Sequence, residues 1–156
     1  MASSDAPTLD EALDTSALSH LLGFHLALAE IGTRRVFQRH IAAPFKLRPV
    51  EFTTLLLLLG NPGATPKRLA RTLRLSPPNV TVLVDRLAAR GLAQRQPSPD
   101  DGRATIVQLT AAGAELARRA QRASRTMEEG LLQATLTPGE RALLLELLQK
   151  LAGASD

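Results

Sequence analysis

Between residues 16 and 41 apolar side chains recur every three or four positions: Leu18, Leu21, Leu22, Leu26, Leu28, Ile31, Val36, Phe37 and Ile41. That is the period of an amphipathic helix. Ser16 is its candidate N-cap and Pro44 its stop. The stripe holds more apolar surface than one small domain needs. Residues 43–49 read as a connector. Residues 50–59 are nearly all apolar and predict a short buried helix, which Gly60-Asn61-Pro62-Gly63 breaks.

The next segment repeats one start signal. Thr65-Pro66 opens a helix to Leu73, Arg74-Leu75 turns the chain, and Ser76-Pro77 opens a second helix to Arg90, closed by Gly91. Leu69, Leu73 and Leu75, with Val80, Leu83, Val84 and Leu87, form the faces that bury the pair against each other. Two short helices joined by so tight a turn predict a helix-turn-helix. Residues 91–96 and 104–109 then alternate as strands around the turn-rich Pro97-Ser98-Pro99-Asp100-Asp101-Gly102-Arg103, a β-hairpin wing. Thr110 caps a helix over 111–134. Thr137-Pro138-Gly139-Glu140 is a capping box for a last helix, whose stripe is Leu143, Leu144, Leu147, Leu148 and Leu151. The expected fold is mainly α with a small β-hairpin (α+β). Residues 1–14 are expected to be a flexible tail, 45–110 a winged helix-turn-helix domain, and 15–44 with 111–153 the helices flanking it.

Composition narrows the chemistry. The chain has 156 residues and no cysteine, which excludes disulfides, thiolate metal sites and thiol redox switches. Four Phe and no Trp or Tyr argue against stacking platforms for single strands. His20 and His25 lie off one helical face, and there is no HExxH pair, phosphate loop or nucleophile elbow. No enzyme, metal or cofactor is therefore expected. The acidic start does not read as a signal peptide and no apolar run is long enough to span a bilayer, so no membrane partner and a cytoplasmic location are expected.

Charge is uneven. Between residues 61 and 110, eight cations face three acids, a balance of +5 within a chain of net +4. Such a segment suits a polyanion, or is a solvated basic surface, or contacts an acidic protein without reading DNA. In a helix-turn-helix the second helix enters the major groove. Its outward positions include Pro78, Asn79, Thr81 and Arg86: Asn79 suits adenine, Thr81 a thymine methyl or phosphate, and Arg86 phosphate or guanine. Ser76, with the N–H groups of the helix start, suits a backbone phosphate. Lys67, Arg68, Arg71 and Arg74 flank the groove as further phosphate contacts. On the wing, Arg103 is sized for a minor groove and Asp101 suits the task of orienting it.

The ordered set Leu75-Ser76, Val80-Thr81-x-Leu83-Val84-Asp85-Arg86-Leu87, Gly91-Leu92, Asp101-Gly102-Arg103 and Val107-x-Leu109-Thr110-x-x-Gly113 resembles the multiple-antibiotic-resistance regulator (MarR) family. The resemblance implies winged helix-turn-helix subunits that form a homodimer through their N- and C-terminal helices. It also implies a transcription regulator, usually a repressor, that binds a pseudo-palindromic duplex DNA operator and is released by a small-molecule effector. The family's wing arginine falls on Arg103 and its acidic partner on Asp101. Many members carry arginine where this chain has Val82, so the base sequence read there does not transfer. An effector such as an aromatic acid or its CoA thioester would meet His20, Phe24, Arg34, Arg35, Phe45 and Phe52 (arginine for a carboxylate, Phe for a ring).

Overall fold

The structure is a computed structural model that describes residues 13–99, 102, 104–133 and 135–153. Its residues fall into two compact units divided between Arg35 and Val36.

In the first unit the expected long helix starts later than its apolar period suggests. Ser16–Leu18 form only a 3₁₀ turn, and α1 runs from Leu22 to Phe37. The cause is local: the Asp14 carboxylate accepts bonds from the Ser16 N–H (2.9 Å) and hydroxyl (3.0 Å), so capping acts on the short turn instead of the helix. These bonds, the backbone one foremost, hold the Asp14 carboxyl below its ordinary range. Leu22, Leu28 and Ile31 are exposed.

The second unit opens with a widened turn. The helix continues through a π-helical turn, Gln38–Ala42, and a last turn, Ala43–Phe45. Pro44 thus lies inside the helical run and does not stop it. The wider turn upstream admits a residue that has no N–H and clashes with a regular preceding turn. The run ends at Lys46, whose backbone is left-handed (φ 54°, ψ 43°).

Helix α2 spans Pro49–Gly60 and buries Glu51, Thr54, Leu55 and Leu58. Helix α3 (Pro66–Leu73) is capped by Thr65, whose hydroxyl accepts the Arg68 N–H at 3.3 Å. It ends in a left-handed residue, Arg74, after which the Leu75 N–H returns to the Ala70 carbonyl. Helix α4 (Pro77–Ala89) buries Val80, Leu83, Val84 and Leu87, the stripe expected from the sequence. Strands β1 (Ala93–Pro97) and β2 (Thr105–Leu109) pair antiparallel, with Ala93 opposite Leu109 and Pro97 opposite Thr105. A bridge from Val107 N–H to the Ala64 carbonyl (2.8 Å) ties the loop before α3 to this hairpin. Helix α5 (Ala111–Gln133) packs on α2, and α6 (Pro138–Gly153) follows. The core joins Leu55, Leu58, Leu69, Val80, Val84, Leu87, Leu92 and Val107 to Ala117 and Ala120 of α5.

Two polar devices lock these elements. Buried Glu51 accepts the Arg48 N–H (2.9 Å) and the Arg90 guanidinium (3.3 Å), clasping the start of α2 to the end of α4. At the base of the hairpin, Thr110 donates its hydroxyl to the Gly91 carbonyl (2.6 Å), its N–H to the Leu92 carbonyl (3.1 Å), and accepts the Gly113 N–H (3.0 Å). Gly113 is there because the chains touch: a Cβ on it would lie 1.8 Å from the Leu92 carbonyl oxygen. Gly91 holds φ +66°, which glycine adopts without strain. The Thr137 capping box forms as expected, with Glu140 accepting the Thr137 N–H (2.8 Å) and hydroxyl (2.7 Å). Those bonds lower the Glu140 carboxyl, backbone bond first. Their contribution is present above the ordinary glutamate range and is lost as pH falls through the lowered value.

Gly113→Ala is expected to destabilise the fold by about 3 kcal/mol, because backbone must move to admit the methyl group. Urea unfolding checks this, and an unchanged midpoint contradicts it.

Candidate DNA-contacting surface

The outer face of α4 carries Pro77, Pro78, Asn79, Thr81, Val82, Asp85 and Arg86, all exposed. Their placement follows from the buried stripe on the opposite side: with four apolar positions fixed inward, these must point out. Lys67, Arg68 and Arg71 on α3, and Arg74 in the turn, are exposed as well. The sequence-predicted cations and reading residues of the two helices therefore stand on one helix-turn-helix unit.

Individual roles shift in the geometry. Thr81 returns its hydroxyl to the Pro77 carbonyl at 3.2 Å, a bond any external partner must compete with. Arg74 donates to the Ala152 carbonyl at 2.7 Å, joining the turn to the end of α6, where a cation meets the negative end of the helix dipole. Ser76 precedes α4 with extended backbone and its side chain makes no capping bond. The expectation of several free N–H groups beside it needs correction. Pro77 and Pro78 occupy the first two helical positions and carry no N–H, so Asn79 holds the sole N–H donor of the first three. An anion at this end is left with the Ser76 hydroxyl, one N–H and the nearby cations.

A pair that the sequence reading passed over fixes the hairpin to α4. Arg95 on β1 forms an ion pair with Asp85 and donates to the Thr81 carbonyl at 3.3 Å. The usable signal was Asp85, the one acid on α4, ten positions before an arginine in the strand that follows. Asp101 and Arg103 lie outside the described residues.

The residues expected at an effector divide between the two units. In the first, His20 is exposed and Phe24 half-buried, its ring edge-on to His25 at 5.6 Å. Arg34 pairs with Glu30, its Nε at 2.7 Å, while Arg35 is exposed. In the second, Phe52 meets Phe37 edge-on at 5.5 Å, and Phe45 lies beneath the Arg119 guanidinium at 5.8 Å. Phe37 and Arg119 were not singled out from the sequence, although Phe37 falls on its apolar stripe. Among the described residues no group of three or more His, Asp or Glu stands close enough to hold a metal, and no helix is long and apolar enough to cross a membrane.

Both partners of the Arg95–Asp85 pair are more than a third exposed, so a double-mutant cycle is expected to give a coupling below about 1 kcal/mol. A coupling of several kcal/mol in urea unfolding contradicts that.

Comparison with known proteins fits this architecture. The sequence signature of the MarR family matches residues 45–104. The chain is 31% identical over 129 residues to the HTH-type transcriptional repressor NicR of Pseudomonas putida, spanning 79% of this chain and 81% of that protein. Among solved structures it resembles the transcriptional repressor CouR bound to a 23-mer DNA duplex, with TM-score 0.83 and 36% identity over 91% of this chain and 99% of that one. It also resembles CouR bound to p-coumaroyl-CoA, with TM-score 0.79 and 34% identity over 90% and 98%. The chain belongs to the MarR family of winged helix-turn-helix transcriptional regulators, and is not an enzyme.

Proposed function

We propose that the chain acts as a homodimeric repressor that binds a pseudo-palindromic operator in duplex DNA and releases it when a small aromatic acid, or its CoA thioester, binds. The observation that carries this reading is the exposed face of α4, flanked by the α3 cations, in a chain similar over 91% of its length to a repressor seen on a DNA duplex. Asn79 is the base reader, and Arg86, Lys67, Arg68, Arg71 and Ser76 are phosphate contacts. Arg103 enters the minor groove with Asp101 orienting it. Arg74 joins the phosphate contacts by exchanging its Ala152 carbonyl for the backbone.

The exposed leucines support pairing. Leu22, Leu28 and Ile31 on α1, and Leu143, Leu145 and Leu147 on α6, are each about half exposed. Such apolar surface on a monomer calls for a partner, and a second copy is the one that a twofold operator requires. Two α4 helices then sit about 34–36 Å apart, one turn of DNA. An effector shifts the equilibrium only by its differential affinity for the spacing that fits the operator.

The acyl-CoA class is supported by CouR's own ligand, p-coumaroyl-CoA. His20, Phe24, Arg34, Arg35, Phe45 and Phe52 are the residues proposed to meet it. Arg34 then trades Glu30 for the ligand's carboxylate or phosphate, and the Phe rings take the aromatic part. The site of action proposed is the operator, in the cytoplasm.

Selection of bound fragments from random duplex DNA is expected to return an inverted repeat with half-sites one turn apart; recovery of unrelated fragments contradicts the reading. Arg103→Ala is expected to weaken operator binding while sedimentation still reports a dimer, and unchanged affinity overturns its minor-groove role. Asn79→Ala is expected to cost about 1–3 kcal/mol at the operator and little on random DNA. Equal losses on both show that Asn79 does not read sequence.

A further inference from the structure

One cleft of the second unit belongs neither to the α3–α4 surface nor to the proposed effector residues. It has a volume of about 500 Å³ and is lined chiefly by Gln38, Lys46, Arg48, Glu51 and Arg90. That volume lies in the usual range for small-molecule sites, about 300–1,000 Å³. Three cations line it against one carboxylate. Glu51 is buried, and its Oε2 is already engaged by the Arg48 N–H at 2.9 Å and by Arg90 at 3.3 Å. The lining thus keeps an excess of two positive charges. Arg90 spends one of the five N–H donors of its guanidinium on Glu51.

The backbone around the cleft is unusual in a way that bears on its use. The helix leading into it widens into the π-helical turn Gln38–Ala42, a deformation frequent at functional sites. It ends with Lys46 in the left-handed region. Glycine holds that conformation without strain, whereas a lysine pays for it. The position is secured by the next residue, Leu47, which is buried and whose N–H binds the Ala42 carbonyl at 3.2 Å. Core packing thus holds a cation at the rim of the cleft, in a backbone conformation that a purely structural turn would assign to glycine.

We propose that this cleft binds a small organic dianion, held between Lys46 and Arg48 on one side and Arg90 on the other. The shared chemistry is two negative oxygens matched to the twofold positive excess, as in a phosphate monoester or a dicarboxylate. Arg90 closes the α4 helix, and through Glu51 it is clasped to the start of α2. An anion that draws on Arg90 therefore acts on the clasp that sets the end of the recognition helix. The site is an input separate from the aromatic effector, since it shares none of that effector's proposed residues.

The test is a titration of the isotope-labelled full chain with inorganic phosphate, and separately with succinate, at constant ionic strength set by chloride. Saturable shifts are expected at the backbone amides of Lys46, Leu47, Arg48 and Arg90 with at least one of the two anions. Saturation by phosphate alone assigns a phosphoryl ligand, and saturation by succinate alone a dicarboxylate. The double variant Lys46→Gln/Arg48→Gln leaves the Glu51–Arg90 pair in place and is expected to bind at least about tenfold more weakly. The proposal is overturned by an absence of saturable shifts at these amides with both anions. It is equally overturned by shifts confined to α3 and the start of α4, or by undiminished affinity in the double variant.

Discussion

A single carbonyl, that of Leu92, organises the reading head. The Leu92 N–H donates to the Leu87 carbonyl at the end of α4 (2.9 Å), while the Leu92 carbonyl accepts the Thr110 N–H and lies against the bare Cα of Gly113. At this point the recognition helix, both strands of the wing and the first turn of α5 meet within a few bonds. Leu92 itself is buried in the core. Its neighbours are set by chemistry that permits little substitution: a glycine with positive φ before it, a threonine that both donates and accepts, and a glycine that a methyl group cannot replace without moving backbone. The direction in which α4 presents its outer face, and the direction in which the hairpin leaves it, are consequences of this junction. The Glu51–Arg90 clasp adds a second fixed point at the same end of α4, and Arg95 a third along its length.

This rigidity suits reading of a duplex. Base discrimination needs side chains held in register with the groove, and here the buried stripe of α4 leaves Asn79, Thr81, Val82 and Arg86 no other face. The start of α4 has a different electrostatic character from a general anion-binding helix end. Two successive prolines preset its first turn but remove two N–H donors. In the function proposed, attraction to phosphate therefore rests on side chains, chiefly the cations of α3, with the helix end supplying orientation more than charge.

Much of this was legible in the sequence because it rests on periodicity and on strong punctuation. The two Thr/Ser-Pro starts, Gly91 and the Thr137–Glu140 box each have a local physical cause, and the structure places α3, α4 and α6 where those signals put them. The stripe Val80, Leu83, Val84, Leu87 was likewise readable, since only one face of so short a helix can be buried. Other features were not. The break between Ser16–Leu18 and α1 arises because Asp14 caps a short turn, which the longer apolar period hides. The π-helical turn before Pro44 and the left-handed Lys46 carry no compositional mark. The bridge from Ala64 to Val107, the burial of Glu51 and the reach of Arg95 to Asp85 join residues 10 to 43 positions apart, and single-sequence patterns do not encode such pairings. Of the site itself, the residue types and their outward placement on α3 and α4 were readable, but the competition of Thr81 and Arg74 with backbone carbonyls was not.

The central claim is that the cationic helix-turn-helix engages duplex phosphates from several side chains at once, and the salt dependence of binding tests it most directly. For the full chain on a duplex carrying its selected site, the logarithm of the association constant is predicted to fall linearly with the logarithm of salt concentration. Each phosphate engaged contributes a slope of about −0.9, so several contacts give a slope of several units. A flat line, or no binding to any duplex in dilute buffer, contradicts the account.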